Sequence, residues 1–319
     1  MIDMCSAAVT AFRNSVSIAV RMGGTRNFTG DRMETTSKYE LSVMTEFKEL
    51  IWQKFLEGIE KYRLIQPGDK IAVCISGGKD SMLTGLCMKH LQKSGDIPFE
   101  VVFLVMNPGY NEINRQKIIE NAALLEIPIQ MFETQIFDAV AKVDNNPCYL
   151  CARMRRGYLY KNAQALGCNK IALGHHFDDV IETIVMGMLY GSQVQTMMPK
   201  LHSENYGGMQ LIRPMYLVRE HDIIDWRLRN DLQFIQCACR FTENCTMCDN
   251  GGGGSKRQEV KHLLKGLRRI DPGIDMSIFH SVENVDIGSM LSYHLGSDYH
   301  RFIEEYNTRM PTDAAEVEL

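Results

Sequence analysis

The sequence predicts an α/β fold built on a parallel sheet, and three observations carry the prediction. Short apolar runs without polar alternation recur along the chain, each gives way to a segment with helical spacing, and the first ends directly in a Gly-Gly pair that opens a helix. Strands that are apolar throughout need cover on both faces, and the crossover helices of a parallel sheet supply it. With 319 residues the chain has room for one large domain or two ordinary ones.

In order, Phe47, Ile51, Phe55, Ile59 and Tyr62 recur at helical spacing from Thr45 onward, and Pro67-Gly68-Asp69 is a turn. The strands are Ile71–Ile75, Val101–Val105, Ile129–Phe132, Lys170–Leu173 and Leu211–Pro214. Helical patterns cover Ser81–Gln92, Ile113–Leu125, 152–166, Asp178–Tyr190 and His221–Asn230. Ligands of such sheets sit beyond the carboxyl ends of the strands, where the strand order reverses, so the segments after strands one, two and four should share one crevice.

Residues 1–43 show no sustained period. They read as a disordered extension, as sequence upstream of a true start at Met33 or Met44, or, from Arg13, Arg21 and Arg26 with a single early acid at Asp3, as a transit-like segment. The catalytic domain is placed at 44–249. Gly251–Ser255 forms a flexible linker, and 256–319 reads as a helical C-terminal region.

Composition excludes several classes. No stretch of 18 uncharged apolar residues exists, so no spanning helix and no membrane partner are expected. A formal charge of −4 excludes a protein coated in basic residues, though not a local basic patch. Ten cysteines in so long and core-rich a chain do not describe a disulfide scaffold. They cluster as Cys148 with Cys151, and as Cys237, Cys239, Cys245 and Cys248, which in a reducing cytoplasm points to metal or redox chemistry.

Ser76-Gly77-Gly78-Lys79-Asp80-Ser81 lies where a strand ends and a helix begins. The glycines let backbone N–H groups turn toward an anion, and the helix N-terminus adds unpaired amides and a positive dipole end. Ser76 and Ser81 offer hydroxyls, Lys79 a point charge, and Asp80 a carboxylate for a magnesium ion on the phosphates. The spacing is not that of a Walker A loop. It resembles the PP-loop of ATP pyrophosphatases, which cleave ATP between its α and β phosphates.

The resemblance extends through Cys148-Tyr-Leu-Cys151-Ala-Arg-Met-Arg155-Arg156-Gly157, Leu173-Gly174-His175-His176-Phe177-Asp178-Asp179, Tyr190-Gly191, Pro199-Lys200-Leu201, Ile212-Arg213-Pro214 and Arg219-Glu220. Taken together these are similar to the tRNA 2-thiocytidine biosynthesis proteins, roughly from Lys70 to Val285. The resemblance implies a Rossmann-like fold of the adenine nucleotide alpha hydrolase type. It implies a tRNA sulfurtransferase that uses ATP and Mg2+ to adenylate O2 of an anticodon-loop cytidine, at position 32, and then replaces that oxygen with sulfur. It implies catalytic roles for Asp80, Asp178, Asp179 and Arg155, and a nucleotide site at Ser76–Ser81 with Gly174 and His175.

A bare Cys-x-x-Cys fits a redox pair or half a zinc site as well as a cluster. The family resemblance implies that Cys148 and Cys151 hold a [4Fe–4S] cluster with one later cysteine, for which Cys237 stands at the matching distance. Cys239 or Cys245 is an alternative third ligand, and the quartet could instead close a zinc site. An iron left without a protein ligand would take up hydrosulfide; a persulfide is the other form the sulfur can take.

One of His175 and His176 is expected at the phosphates and the other as a helix cap. Asp178 and Asp179 open a helix, where carboxylates are favoured whatever their function. Met106, Asn107 and Gly109 end strand two and border the adenine by analogy. Arg153, Arg155, Arg156 and Lys161 form a basic stripe for tRNA on one helix; Lys256, Arg257, Lys261, Lys265, Arg268 and Arg269 form a second, which suits RNA or a solvated surface equally. A cysteine-desulfurase-type sulfur donor, a cytoplasmic location and a homodimer complete the expectations. The competing readings are a lysidine synthase, a 2-thiouridine synthase and a non-catalytic nucleotide or metal sensor.

Overall fold

The computed structural model describes residues 36–140, 147–235 and 256–308, and the elements below belong to the unit that begins at Ser37. Its centre is a six-stranded sheet in the order β3-β2-β1-β4-β6-β5. The strands are β1 (Lys70–Ile75), β2 (Glu100–Asn107), β3 (Ile129–Glu133), β4 (Lys170–Ala172), β5 (Lys200–His202) and β6 (Gln210–Ile212). All neighbours are parallel except β5, which runs antiparallel to β6 at the edge. The chain winds from β1 outward through β2 to β3 and then crosses back to place β4 on the other side of β1, so the order reverses between β1 and β4.

Strand β1 shows why its run is apolar throughout. Ile71, Val73 and Ile75 pack into the larger core cluster, while Ala72 and Cys74 pack into a second cluster on the opposite face. Helix α3 (Lys79–Ser94) covers the first face with Met82, Leu83 and Leu86, and helix α6 (Pro147–Ala165) covers the second with Tyr160 and Ala163. The remaining helices up to residue 235 are α1 (Lys38–Met44), α2 (Gln53–Tyr62), α4 (Glu112–Leu124), α5 (Ile136–Val140), α7 (Phe177–Tyr190) and α8 (Glu220–Arg229).

Three elements differ from the sequence reading. Helix α1 lies inside the stretch read as an extension, yet Tyr39 and Val43 are buried and Ser42 Oγ accepts a 3.0 Å bond from Trp226 Nε1 of α8. Between α1 and α2 a π-helical turn spans Lys48–Trp52. Phe47, Ile51, Phe55 and Ile59 are all buried at strict four-residue steps. That period outruns the 3.6 residues of an α-turn, and one wide turn takes up the difference. Strand β5 is exposed at every residue, so no apolar run announces it.

After residue 255 come α9 (Lys256–Ile270) and α10 (Ile274–Ser281), then a hairpin of β7 (Ser292–Leu295) and β8 (Asp298–Arg301), and α11 (Phe302–Thr308). The C-terminal region is thus helical with a short hairpin, which the sequence reading does not include. The linker Gly251–Ser255 lies outside the described residues. No helix among the described residues is long and apolar enough to cross a membrane.

At the end of the sheet away from the strand tips, Lys170 is almost fully buried, with Nζ 2.6 Å from Asp69 Oδ2 and 3.0 Å from the Leu64 carbonyl. Removing one partner of a buried pair leaves the other charge without compensation. Lys170→Met is expected to lower unfolding free energy by about 3–5 kcal/mol, read as a shift in the urea midpoint.

Candidate active site

The loop after β1 is shaped by contacts that only glycine permits. Gly77 sits at φ +88°, and a Cβ there would come within 2.6 Å of Ile118 and 2.7 Å of Ile235. Gly78 precedes α3 with no side chain capping the helix, so the amides of its first turn are left for an anion. Ser81 braces the loop: its Oγ accepts from the Ser76 amide at 3.1 Å and the Ser76 hydroxyl at 3.0 Å, and donates to the Gly78 carbonyl. Both serine hydroxyls therefore spend their protons within the loop, and the anion donors are the backbone amides.

Gly174, just past β4, is the second close approach. A Cβ on it would stand 2.9 Å from the Ser81 amide nitrogen and 3.0 Å from the Asp80 carbonyl carbon. Backbone thus packs on backbone across the point where strand order reverses. A cavity of about 410 Å3 opens there. Cys74, Ile171 and Leu173 contribute apolar lining. Ser76, Asp80, Ser81, Gly174, His175 and Asp179 line it with Arg155 and Arg156 of α6, and Met106 at the end of β2 adds to the wall. Cys74 belongs to this lining; burial pushes its thiol up to about 12, so it stays protonated.

The two histidines take different places. His176 is buried and caps α7: its Nδ1 accepts from the Asp179 amide, and Asp179 Oδ2 accepts from the His176 amide at 3.1 Å. His175 lines the cavity with Nδ1 buried and without a hydrogen-bond partner. Burial, helped by the Arg213 charge, holds its imidazole down at about 4, so it is neutral near pH 7.

The carboxylates divide too. Asp80 and Asp179 line the cavity. Asp80 Oδ1 is buried, 3.1 Å from Lys79 Nζ but outside hydrogen-bond geometry and accepting no hydrogen bond. Asp179 is held ionised against burial by His176 and by Arg257, whose Nη1 is 2.8 Å away. Asp178, expected beside them, does not line the cavity; its Oδ2 accepts from the Glu220 amide at 2.7 Å and its Oδ1 from Arg268 at the same distance. Lys79 does not line it either. Its ammonium lies between Asp80 and Glu220, 3.1 Å from Glu220 Oε1.

By sequence Glu220 is named only within a matched motif, without a role, and Glu182 is not named. Burial opposes the charge on Glu220, but Lys79 and Lys261 bring it down to about 2. Burial pushes Glu182 up to about 7 although Lys261 and Arg257 stand 3.6 Å away. Their signal was positional: Glu220 opens a helix, and Glu182 lies one turn after Asp178 and Asp179.

A buried, unsatisfied Asp80 oxygen beside a bed of free amides fits a magnesium ion carrying phosphates. For a cluster, the observation is one of register. Ala152, Arg155, Arg156 and Leu159 share the face of α6 that lines the cavity. Cys148 and Cys151 occupy the turn before them on the same helix, and Cys151 packs beside Met106 and Met154. Thiolates at that helix start suit iron. The side chain of Cys148, and Cys237, Cys239, Cys245 and Cys248 altogether, lie outside the described residues. Ile235, the last one before them, packs on Gly77. Arg153, Arg156 and Lys161 are exposed on α6 without a carboxylate partner among the described residues. Asn107 shapes the turn after β2 by accepting from the amides of Gly109 and Tyr110.

The chain matches the model of the PP-loop domain over residues 44–240, and it belongs to that family. Its relatives include the tRNA-cytidine(32) 2-sulfurtransferases of Neisseria meningitidis serogroup C, 35% identical over 72% of this chain and 70% of that protein, and of Vibrio parahaemolyticus, 36% identical over 71% and 74%. The enzyme of that name from a Shewanella strain matches over 90% of both chains at 31% identity. Among solved structures, the U34-tRNA thiolase of Methanococcus maripaludis, which carries a [4Fe-4S] cluster, superposes with a TM-score of 0.57 over 74% of this chain and 79% of its own, at 19% identity. That likeness is one of fold.

Two outcomes follow from this geometry. Gly174→Ala should push the start of α3 off the sheet and weaken binding of a non-hydrolysable ATP analogue at least tenfold by calorimetry, with the circular dichroism spectrum retained. Neutral His175 binds fewer protons in the fold than in the unfolded chain between pH 6.5 and about 4, so its burial costs stability as pH falls through that window. His175→Gln should flatten the acid limb of the unfolding profile and leave the alkaline side unchanged.

Proposed function

We propose that this chain is an ATP-dependent tRNA-cytidine 2-sulfurtransferase. The observation that carries the reading is the convergence, in one cavity, of the PP-loop, two arginines and the helix whose first turn bears Cys148 and Cys151. A triphosphate lies along the amides of Ser76–Ser81, with Lys79 as counter-charge. Asp80 is the carboxylate placed for magnesium. The cavity holds a nucleotide base against Met106 and Leu173, and the half-buried Arg155 guanidinium faces the phosphate to be attacked.

Cytidine O2 attacks the α-phosphorus, the bond to the bridging oxygen breaks, and pyrophosphate leaves onto the loop amides. C2, now carrying the adenylated oxygen, is then attacked by sulfide-level sulfur, and the C2–O2 bond breaks so that the oxygen departs with AMP. Neutral His175 donates or accepts a hydrogen bond at the reacting phosphate without adding charge. A [4Fe–4S] cluster held by Cys148, Cys151 and Cys237 would supply iron that binds sulfur. We read a cysteine-desulfurase-type protein as the source of that sulfur, the cytoplasm as the location and a homodimer as the assembly. The catalytic part is taken as 44–249 with α1 packed on it, and 256–319 as its C-terminal region. Arg153, Arg156 and Lys161 present the cationic track along which an anticodon loop approaches, and the cytidine must be turned out of the stack to enter.

Digested tRNA from cells lacking the protein should lose 2-thiocytidine and keep its other thiolated nucleosides; persistence of 2-thiocytidine overturns the reading. In vitro, Cys151→Ser should abolish thiolation while ATP-analogue affinity stays within about twofold of wild type, since the loop is intact. Arg156→Ala and Lys161→Ala should each lower the slope of log K for tRNA against log salt by about one.

A further inference from the structure

The spacing of Arg257, Lys261, Lys265 and Arg268 places them on one helix face, as an RNA-facing stripe requires. The structure divides that face. Lys265 and Arg269 are exposed. Arg257, Lys261 and Arg268 instead turn toward the acidic residues that open α7 and α8. Val260 and Leu264 fix this orientation by packing with Val180, Ile181 and Ile184 of α7 in a shared core cluster.

The contacts close a ring through the PP-loop lysine, in which carboxylates alternate with cationic side chains and His176. Lys79 Nζ is 3.1 Å from Glu220 Oε1, and Glu220 Oε2 is 3.2 Å from Lys261 Nζ. Lys261 and Arg257 each stand 3.6 Å from Glu182. Arg257 meets Asp179 at 2.8 Å, Asp179 is joined to His176 by the capping box, and His176 Nε2 is 3.9 Å from both Asp80 and Glu220.

We propose that α9 buttresses the nucleotide site from outside its cavity, with Lys261 acting through Glu220 to position the Lys79 ammonium. The physical need is specific. When a triphosphate arrives, Lys79 must turn part of its charge from Glu220 to phosphate. A half-buried carboxylate that loses its single cation pulls that cation back, because leaving it uncompensated is costly. Lys261 keeps Glu220 paired and frees Lys79 for the phosphate. Glu220 remains ionised throughout the neutral range. Arg257 serves Asp179 in the same manner. Lys261 and Glu220 touch no reacting atom in this scheme and are positioning residues.

The inference rests on the loop binding ATP, so its test reads binding directly. Using full-length protein, calorimetry with a non-hydrolysable ATP analogue should show Lys261→Met weakening affinity about tenfold and Lys261→Arg restoring it to within about twofold. The double variant Glu220→Gln/Lys261→Met should bind no worse than Glu220→Gln alone, because Lys261 reaches Lys79 only through that carboxylate. Affinity for tRNA should stay at the wild-type value in Lys261→Met. An unchanged nucleotide affinity, with tRNA binding weakened and its salt slope lowered by about one, would return α9 to the RNA surface and overturn the proposal. So would multiplying effects in the double variant. Absence of tRNA-dependent ATP–pyrophosphate exchange in the wild type would count against the sulfurtransferase reading and leave this comparison intact.

Discussion

The site depends on one backbone contact: Gly174 lying against the first turn of α3. The ends of β1 and β4 are neighbours in the sheet, and each must release its chain in a different direction. A crevice at such a reversal is wide when side chains separate the two exits. Here no side chain intervenes, so the Asp80–Ser81 peptide is drawn up to the end of β4. His175 follows directly and enters the cavity, and His176 then caps α7 with its acidic first turn facing the loop. Gly77 performs the matching service from outside, letting Ile118 and Ile235 close over the loop.

Around that contact the charges are sorted by location. The amides and the α6 arginines give the cavity a wall suited to anions, while the carboxylates gather at the starts of α7 and α8. Such acids favour helix N-termini, but four of them close together repel. The cations that compensate them are Arg219 beside Asp178, Lys79 from the loop itself and, from far along the chain, Arg257, Lys261 and Arg268 of α9. The mild net charge of −4 conceals this segregation. It also means that a basic stripe in sequence carries two different meanings: on α6 all but the half-buried Arg155 are exposed, and three members of the one on α9 face inward.

Much was legible from sequence because its causes are local. A run such as Ile71–Ile75 has to be covered on both sides, and a Gly-Gly pair at its end has to be a turn. The loop followed from residue order, whereas that order leaves open which of the two histidines faces the cavity and which caps the helix. The π-helical turn was visible in principle as a strict four-residue period, but such a period also reads as an ordinary helix. Strand β5 and the β7–β8 hairpin exist through pairing; each strand is only three or four residues long and mostly exposed, too short for an apolar pattern to stand out. Helix α1 enters the core through Tyr39 and Val43, too few apolar residues to stand out. The partners of Asp178 and Asp179 were hidden because contacts across 78 or 90 residues leave no mark on local pattern.

The central claim is that ATP activates a pyrimidine oxygen and that this oxygen leaves with AMP when sulfur replaces it. The most direct measurement uses tRNA carrying oxygen-18 at O2 of the target cytidine, incubated anaerobically with the protein, ATP, Mg2+ and sulfide, with the nucleotides resolved by mass spectrometry. The account predicts heavy oxygen in AMP, unlabelled pyrophosphate, and a thiolated cytidine in the RNA in equal amount. Label retained in the RNA while ATP is consumed, or ADP formed in place of AMP, would contradict it.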